Sequence, residues 1–177
     1  MREVIDRLRR VLPAGAVLSS AAELKPYECD ALMLYRRMPL AVALPADETQ
    51  VAAVLRTCRD AGVPVIARGA GTGLSGGATP RPAGVLLALA RLNRIISLDP
   101  LARTARVQPG VRNLAISEAA APHGLHYAPD PSSQIACTIG GNVAENSGGV
   151  HCLKYGLTVH NVLALRVATI DGEVLEI

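Results

Sequence analysis

The sequence contains no phenylalanine and no tryptophan, and it has only four tyrosines among 177 residues. Half of the residues are nevertheless apolar, so valine, leucine, isoleucine and alanine must form the core. This composition is typical of a globular protein and excludes an intrinsically disordered one. The length suits one ordinary domain or two small lobes that share a core, and it is too short for a cofactor domain plus a full substrate domain.

Long runs of one charge or of apolar residues are also missing. The net charge is only +3, and the basic residues are scattered instead of alternating with aromatics, so we expect no nucleic-acid partner. No stretch approaches the roughly 18 to 20 apolar residues of a membrane span. The first residues lack the apolar core of a signal peptide. We therefore predict a cytoplasmic protein without a transmembrane segment.

The cysteines form no CxxC pair, which argues against zinc, an iron–sulfur cluster or a redox dithiol. They are far apart in the chain, at Cys29, Cys58, Cys137 and Cys152. Reduced, mostly buried thiols are the simplest interpretation. His123 and His126 lie three residues apart and His151 adjoins Cys152, which could be drawn as a metal site, but zinc sites usually need three or four converging ligands at recognisable spacing. We therefore predict no metal site.

Helices and strands are predicted to alternate along the chain. Apolar residues recur at helical spacing in three segments, each followed by proline or glycine, at residues 2–12, 49–61 and 111–121. Short β-type runs occupy residues 41–44, 63–67, 85–89, 94–98, 104–107 and 162–170, and the last run turns at Asp171-Gly172 into residues 173–177. Val174, Leu175 and Ile177 need an element to cover them, so we expect a chain truncated at its C-terminus.

The first of two glycine-rich tracts follows the strand-like residues 63–67. It spans residues 68–77 and reads RGAGTGLSGG. Glycine permits positive φ and lets backbone N–H groups converge on an anion without interference from side chains. Between Asp60 and Asp99 the chain has four arginines and no acidic residue, so nothing nearby in sequence repels a phosphate. These are the properties that a pyrophosphate site needs.

The same tract matches the GxGxxG pattern of Rossmann units, through Gly71, Gly73 and Gly76. Alone this is a weak signal, because the Rossmann unit also needs a helix that opens at the glycines and an acidic residue about 20 positions later. Here Pro80 and Pro82 interrupt any helix, and no acidic residue stands at that distance. We therefore predict an anion-binding loop that does not open a helix.

The second tract, residues 140–149, reads GGNVAENSGG, and the sequence PDPSS precedes it at residues 129–133. Glycine and asparagine tolerate left-handed backbone, and Asn and Ser side chains offer donors and acceptors that orient a ligand. Either tract alone could be a tight structural turn. We predict that both tracts are loops, and two separated loops suit one long ligand.

The order of these segments resembles the FAD-binding domains of the vanillyl-alcohol-oxidase and p-cresol-methylhydroxylase type. The likeness rests on the first tract, residues 129–133, residues 138–149 and Lys154-Tyr155-Gly156. Residues 27–30, 108–112 and 171–173 are similar to the glycolate oxidase D-subunit family in particular, and the likeness covers residues 26–177.

The resemblance implies an α+β fold with two lobes and FAD between them. An N-terminal helical segment would occupy residues 1–37, and the FAD-binding domain residues 38–177. Its lobes would span residues 38–110 and 111–177, the second being incomplete, and the substrate or cap domain would be absent.

The resemblance also implies that the first tract wraps the FAD pyrophosphate, that residues 129–133 lie along the ribityl chain and flavin, and that the second tract holds the dinucleotide from the other lobe. The implied FAD contacts are Arg68, Gly69, Ala70, Gly71, Thr72, Gly73, Leu74, Ser75, Gly76, Pro129, Asp130, Ser133, Thr138, Gly140, Gly141, Asn142, Asn146, Gly148, Gly149, Tyr155 and Gly156. Arg68 could equally belong to a structural ion pair. Thr72 stands where some members attach flavin through a histidine, so we expect non-covalent FAD.

The implied activity is oxidation of a 2-hydroxy acid of the glycolate or D-lactate class, with hydride transfer from the α-carbon to flavin N5. The implied partners are other glycolate oxidase subunits, one of which carries iron–sulfur clusters. Through such a complex the protein could lie at the periphery of the inner membrane. In the resembling family, the substrate-binding groups come from a domain beyond residue 177.

The catalytic base is not predictable from the sequence. Imidazole titrates near neutrality, so four histidines are formal candidates, although each is more simply a surface or loop residue: His123, His126, His151 and His160. Two alternatives to the oxidoreductase stay open. One is a non-catalytic flavin-binding or subunit-docking module, and the other is a different FAD enzyme of the same fold, such as a cell-wall precursor reductase.

Overall fold

The computed structural model describes residues 2–177, which contain both helices and strands. The helices are α1 (Arg2–Val11), α2 (Ala21–Leu24), α3 (Glu48–Asp60), α4 (Asn113–Ala120), α5 (Ile139–Glu145) and α6 (Cys152–Tyr155). The strands are β1 (Val17–Leu18), β2 (Ala41–Ala43), β3 (Val65–Arg68), β4 (Val85–Ala88), β5 (Ile95–Asp99), β6 (Thr104–Val107), β7 (Arg166–Ala168) and β8 (Val174–Glu176). Single 3₁₀ turns lie at Lys25–Tyr27, Ala121–His123 and Thr158–Asn161.

The chain forms two compact units. The first contains the residues up to Arg91 together with Ala164–Ile177, and the second contains Leu92–Leu163. The bounds of these units differ from those of the two predicted lobes, residues 38–110 and 111–177. The lobes remain a prediction.

A four-stranded sheet forms the centre of the first unit, in the order β1-β2-β4-β3. The strands β2, β4 and β3 run parallel, and β1 is antiparallel to β2. Every residue of β2 and β4 is buried, as expected for parallel strands that are covered on both faces. The chain passes from β2 to β3 through α3, and β4 lies between these two strands.

The helix α3 begins at Asp47, whose Oδ1 accepts a hydrogen bond of 2.8 Å from the backbone N–H of Gln50. Its apolar face buries Val51, Val54, Leu55 and Cys58. The amphipathic α1 contacts α3 and buries Val4 and Leu8. Aliphatic side chains thus form the buried core, and the partly buried Tyr27 packs against it.

The antiparallel hairpin of β7 and β8 also belongs to the first unit. Arg166 on β7 contacts Glu48 at the start of α3 and Glu176 on β8, each at 2.5 Å. The predicted strand at residues 162–170 is therefore too long, since only three of its residues pair with β8. Leu175 and Ile177 stay 46% and 70% exposed.

The second unit contains the antiparallel pair β5 and β6 and the helices α4, α5 and α6. A register shift between Ile95 and Ser97 interrupts the β5–β6 ladder. The helix α4 ends where Pro122 enters a 3₁₀ turn, as the sequence predicted. No helix among residues 2–177 is both long and apolar enough to cross a membrane.

The second glycine-rich tract is not the loop that the sequence predicted. Its first half is the helix α5, which ends at Asn146 in the left-handed conformation with φ 50°. Two adjacent glycines each disfavour a helix by about 1 kcal/mol relative to alanine. Tertiary contacts of this segment offset that cost, and they are described with the site below.

Candidate functional site

The first glycine-rich tract is a loop that leaves β3, as predicted. None of the ten consecutive backbone N–H groups of residues 69–78 donates a hydrogen bond within the described part of the chain. None of these ten residues is buried, so their N–H groups are free to bind water or a ligand. Because N–H groups carry partial positive charge, an anion is the ligand that suits them.

Contacts beneath the loop hold its backbone in place. Gly71 has φ +73°, and its carbonyl accepts a 2.9 Å hydrogen bond from the N–H of Ala31. A side chain at Gly71 would overlap the guanidinium of Arg68. Glycine suits this position because of its positive φ, and any side chain here would also displace the Arg68 guanidinium.

Arg68 supports the loop from below and is only 9% exposed. Its Nη1 donates to the carbonyl of Cys29 at 2.8 Å, and its guanidinium lies 5.7 Å from the centre of the Tyr27 ring. The salt bridges found among residues 2–177 do not include Arg68, so the structural ion pair considered from the sequence is not observed. Its positive charge adds to the potential under the loop.

Asp30 lies near the loop, a position that the sequence argument did not predict. It is 4% exposed, its Oδ1 accepts from the N–H of Leu32 at 3.1 Å, and its Oδ2 is buried without a partner in the described residues. Because Ala31 bonds to Gly71, this carboxylate stands next to the segment that holds the loop. The prediction about acidic residues considered only the segment between Asp60 and Asp99, so it could not show that Asp30 lies near the loop.

In the second unit, close packing explains the glycines at the start of α5. A Cβ on Gly140 would lie 2.7 Å from Cβ and 3.0 Å from the carbonyl oxygen of Pro109, whereas Gly141 has only the Thr138 hydroxyl at 3.6 Å. The Gly140 N–H also donates to the Pro109 carbonyl at 2.9 Å. Thr138 precedes the helix, and its Oγ1 is buried without a partner within residues 2–177.

A buried amide network ties this helix to the PDPSS segment. Asn113 on α4 is 1% exposed, and its Nδ2 donates to the Pro129 carbonyl at 3.0 Å and to Asn142 Oδ1 at 2.9 Å. Asn142 Nδ2 in turn lies 3.3 Å from both Cys137 Sγ and Ser147 Oγ. The network positions three predicted FAD-contact segments of this unit relative to one another. In the sequence, the role of Asn113 was indicated only by its position, a polar residue on the apolar face of a predicted helix.

A hydrogen-bonded pair, Asp130 and His151, closes the end of the second tract. His151 Nδ1 lies 2.6 Å from Asp130 Oδ2, and its backbone N–H is 3.4 Å from Oδ1. Burial raises the pKa of Asp130, but its hydrogen bonds from His151 outweigh that effect, and the pKa lies below its ordinary value. Gly149 packs so closely against Asp130 that any side chain there would overlap the Asp130 backbone.

This pair predicts a pH dependence that His151→Ala should weaken. A carboxylate whose pKa is lower in the folded than in the unfolded chain stabilises the fold above about pH 4, and this contribution disappears as the pH falls through the folded pKa. We expect the variant to lose less than about 1 kcal/mol at pH 7 and nothing at the acid end. Urea unfolding at pH 7 and in acid measures this, with the exposed His123→Ala as control; equal losses at both pH values would contradict it.

The remaining predicted residues of this unit lie around α6. Asn146 Oδ1 accepts from the N–H of Val159 at 3.0 Å, and Tyr155 meets the His126 ring edge-on at 6.1 Å. A Cβ on Gly156, which has φ +79°, would come within 2.8 Å of the His160 ring. Gly148 is similarly close to Leu157. These predicted FAD-contact residues lie near one another, and each of them also makes a packing contact or a hydrogen bond within its own unit.

The histidines and cysteines form no further constellation. Within the part of the chain that the structure describes, no three His, Cys, Asp or Glu side chains come together as a metal site. The four cysteines are free thiols, and burial raises the pKa of Cys58 to about 11.

Comparison with known proteins places this geometry in context. A family model described as an FAD binding domain matches residues 39–177. The chain is 62% identical over 172 residues to the glycolate oxidase subunit GlcD of Escherichia coli strain K12, which covers 97% of the chain and 34% of that protein. It is 38% identical to the D-2-hydroxyglutarate dehydrogenase of Xanthomonas citri pv. viticola, over 96% of the chain and 36% of the relative. The chain thus spans about a third of the length of these relatives.

Solved structures with similar backbones are more distant in sequence. An alkyldihydroxyacetonephosphate synthase superposes with a TM-score of 0.88 at 21% identity, over all of this chain and 38% of that one. Phl p 4, a glucose dehydrogenase, superposes with a TM-score of 0.84 at 18% identity, over 98% of this chain and 37% of that one. At these identities the likeness establishes the fold.

Proposed function

Since the chain belongs to the FAD-binding domain family, we propose that the backbone N–H groups of the loop at residues 69–76 bind the pyrophosphate of FAD. The observation that carries this proposal is the run of unpaired N–H groups in the loop. A pyrophosphate needs several donors on one surface, and the buried charge of Arg68 favours an anion there. The loop geometry therefore fits the cofactor that the family implies.

The second unit would contribute further FAD contacts. The segment at Pro129 and Asp130, the start of α5 and the Asn146–Gly149 turn are held together by the Asn113 network and the Asp130–His151 pair. The unpaired Thr138 hydroxyl beside Gly141 offers a donor or acceptor to a ligand. Thr72 cannot form the covalent bond that a histidine forms with flavin, so retention of FAD would rest on non-covalent contacts and mass action.

The activity that best accounts for the relatives is oxidation of a 2-hydroxy acid of the glycolate or D-lactate class. Bound FAD supplies the hydride acceptor for the substrate α-carbon. The residues described above bind and orient the cofactor, and the remaining groups of the active site would come from outside residues 2–177. By analogy with the relatives named as glycolate oxidase subunits, the partners would be other subunits, including one with iron–sulfur clusters, in a cytoplasmic or membrane-peripheral complex.

A second candidate is a flavin-binding or subunit-docking module without catalysis of its own. It is favoured by the dispersed histidines, of which only His151 is oriented by a carboxylate within residues 2–177. Flavin absorbance of the purified chain, before and after acid precipitation, tests both proposals. Colour that moves to the supernatant supports non-covalent FAD, and folded protein that ignores added FAD contradicts it. Turnover of glycolate or D-lactate with an artificial acceptor, by a longer protein that contains this chain together with the remaining active-site groups, then separates the two candidates.

Gly71→Ala should weaken FAD binding by roughly tenfold or more, since about 1.4 kcal/mol corresponds to a factor of ten. The new Cβ is strained at positive φ and displaces Arg68 from beneath the loop. The matched control is Gly15→Ala, whose φ of +76° imposes the same strain in open space. Gly71→Ala should lose more stability than Gly15→Ala, because it also displaces Arg68, and only Gly71→Ala should raise the Kd for FAD in a fluorescence titration. An equal effect of both on FAD would refute the assignment of the loop.

A further inference from the structure

The hairpin of β7 and β8 presents one face of aliphatic side chains. Val167 lies opposite Leu175, and Leu165 and Ile177 exchange both of their backbone hydrogen bonds, at 2.6 and 2.9 Å. Because side chains alternate between the two faces of a strand, these four residues share one face. Val167, Leu175 and Ile177 are 38%, 46% and 70% exposed, so nothing among the described residues covers this face completely.

The opposite face of the hairpin already has a neighbour. Arg166 lies on that face and forms ion pairs with Glu48 at the start of α3 and with Glu176 on β8. At the turn of the hairpin, the Arg59 guanidinium of α3 contacts the Asp171 carboxylate at 2.9 Å. These polar contacts hold the hairpin on α3, so its aliphatic face points away from that helix.

Both edges of the hairpin are also free of a neighbouring strand. In the described part of the chain, only β7 and β8 form this sheet. The Leu165–Ile177 pair uses its N–H and C=O groups between the strands, so those of the next pair, Arg166 and Glu176, point outward. An isolated two-stranded hairpin is marginally stable, and a free apolar edge is prone to pair with another chain. The hairpin therefore has the properties of an incomplete sheet.

The size of this face indicates a segment of the same polypeptide as its occupant. A stable interface between separate chains buries about 800 Å² on each partner, from about 20 to 30 residues, whereas this face offers three exposed aliphatic side chains. A tethered segment needs less surface, because the linker gives it an effective concentration in the millimolar range. The chain spans about a third of the length of its relatives, so a protein of their length has further segments to supply it.

We propose that, in a protein of the relatives' length, an aliphatic strand from outside residues 1–177 pairs with a free edge of this hairpin and helps to bury its aliphatic face. The ion pairs of Arg166 would remain, since they lie on the other face. The occupant is thus a segment of stated chemistry from the same polypeptide. This proposal does not depend on FAD binding, so the two can fail separately.

The test compares the variant V167T/L175T/I177T in the 177-residue chain and in a full-length protein that contains it. Threonine keeps a high β propensity at these positions and reduces their apolar surface. The melting temperature should fall by roughly 5 °C or more in the long protein, where burial is lost, and by less than about 1 °C in the isolated chain. The control is Ile170→Thr, at the turn of the same hairpin and 48% exposed, which should lower the melting temperature of either protein by less than about 2 °C.

Hydrogen exchange of the unsubstituted long protein tests the same contact without any variant. The outward amides of one edge, either Arg166 and Ala168 or Val174 and Glu176, should exchange at least about tenfold more slowly than in an unstructured peptide. Exchange of both edges at the peptide rate overturns the proposal. Equal changes in melting temperature in the long protein and the isolated chain also overturn it.

Other occupants of the face give different results, and each of these overturns the proposal. A dimer of the long protein that V167T/L175T/I177T converts to monomers in light scattering would assign the face to a second copy. Co-sedimentation of the long protein with phosphatidylglycerol vesicles that the same variant abolishes would assign the face to a lipid surface.

Discussion

Gly149→Ala should destabilise the protein by roughly 3 kcal/mol and abolish detectable FAD binding at micromolar cofactor, the largest effect that we expect from adding one methyl group. The new Cβ would overlap the backbone carbonyl and the carboxylate of Asp130. Backbone cannot rotate away as the end of a long side chain can. Relief of the overlap therefore requires Asp130 to separate from Gly149, which also breaks the pair with His151.

The matched control for this substitution is Gly141→Ala. Gly141 lies in the first turn of α5 and meets only the Thr138 hydroxyl at 3.6 Å, an ordinary contact. Alanine should therefore stabilise the chain by about 0.5 to 1 kcal/mol through its higher helix propensity. Urea unfolding and flavin fluorescence measure both variants. Wild-type stability of Gly149→Ala would show that the close approach to Asp130 is not a constraint in solution.

Asn113→Leu should cost about 2 to 5 kcal/mol and weaken FAD binding at least tenfold. The substitution leaves the Pro129 carbonyl buried without a donor and leaves Asn142 Oδ1 with only the weak thiol donor of Cys137 at 3.7 Å. An unsatisfied buried group costs about 1 to 3 kcal/mol. The loss of the network also frees the PDPSS segment from α5. Pro129 and Asn142 are both predicted FAD contacts, so the affinity for FAD and the stability of the fold should fall together.

Asn161→Ala provides a comparison of the same chemistry. The Asn161 amide also bridges two carbonyls, those of Tyr155 and Leu157, at 3.1 and 3.0 Å, but in a more accessible position. Water can replace its donors, so the loss should stay near 1 kcal/mol. If Asn113→Leu and Asn161→Ala lower stability equally, burial does not increase the contribution of the Asn113 network to stability.

Elements with a local signal were predictable from the sequence. The bounds of α1, α3, α4 and of β2 to β6 all fall within two residues of the predicted ones, because periodicity and a flanking cap or stop residue coincide there. The α+β fold and membership of an FAD-binding domain family are confirmed by the family match and the similar backbones. Residue roles in FAD binding stay predictions.

Elements that depend on distant contacts were not predictable. Intrinsic propensity argues against a helix at Gly140 and Gly141, and only the packing against Pro109 and the Asn113 amide favour α5. The strand β1 has two residues and exists because β2 lies beside it. The short α2 did carry a local signal, since Ser20 and Glu23 form a capping box at its start.

The discontinuous first unit has a consequence for how the protein folds. Its last strands join α3 across more than a hundred residues, through contacts such as Arg166 with Glu48. Because loop closure of this length must precede any gain from the contact, these strands are expected to dock late. During synthesis, the ribosome completes the whole second unit before it releases the residues that finish the first. Until then, the face of α3 that receives β7 is open to solvent and to other nascent chains.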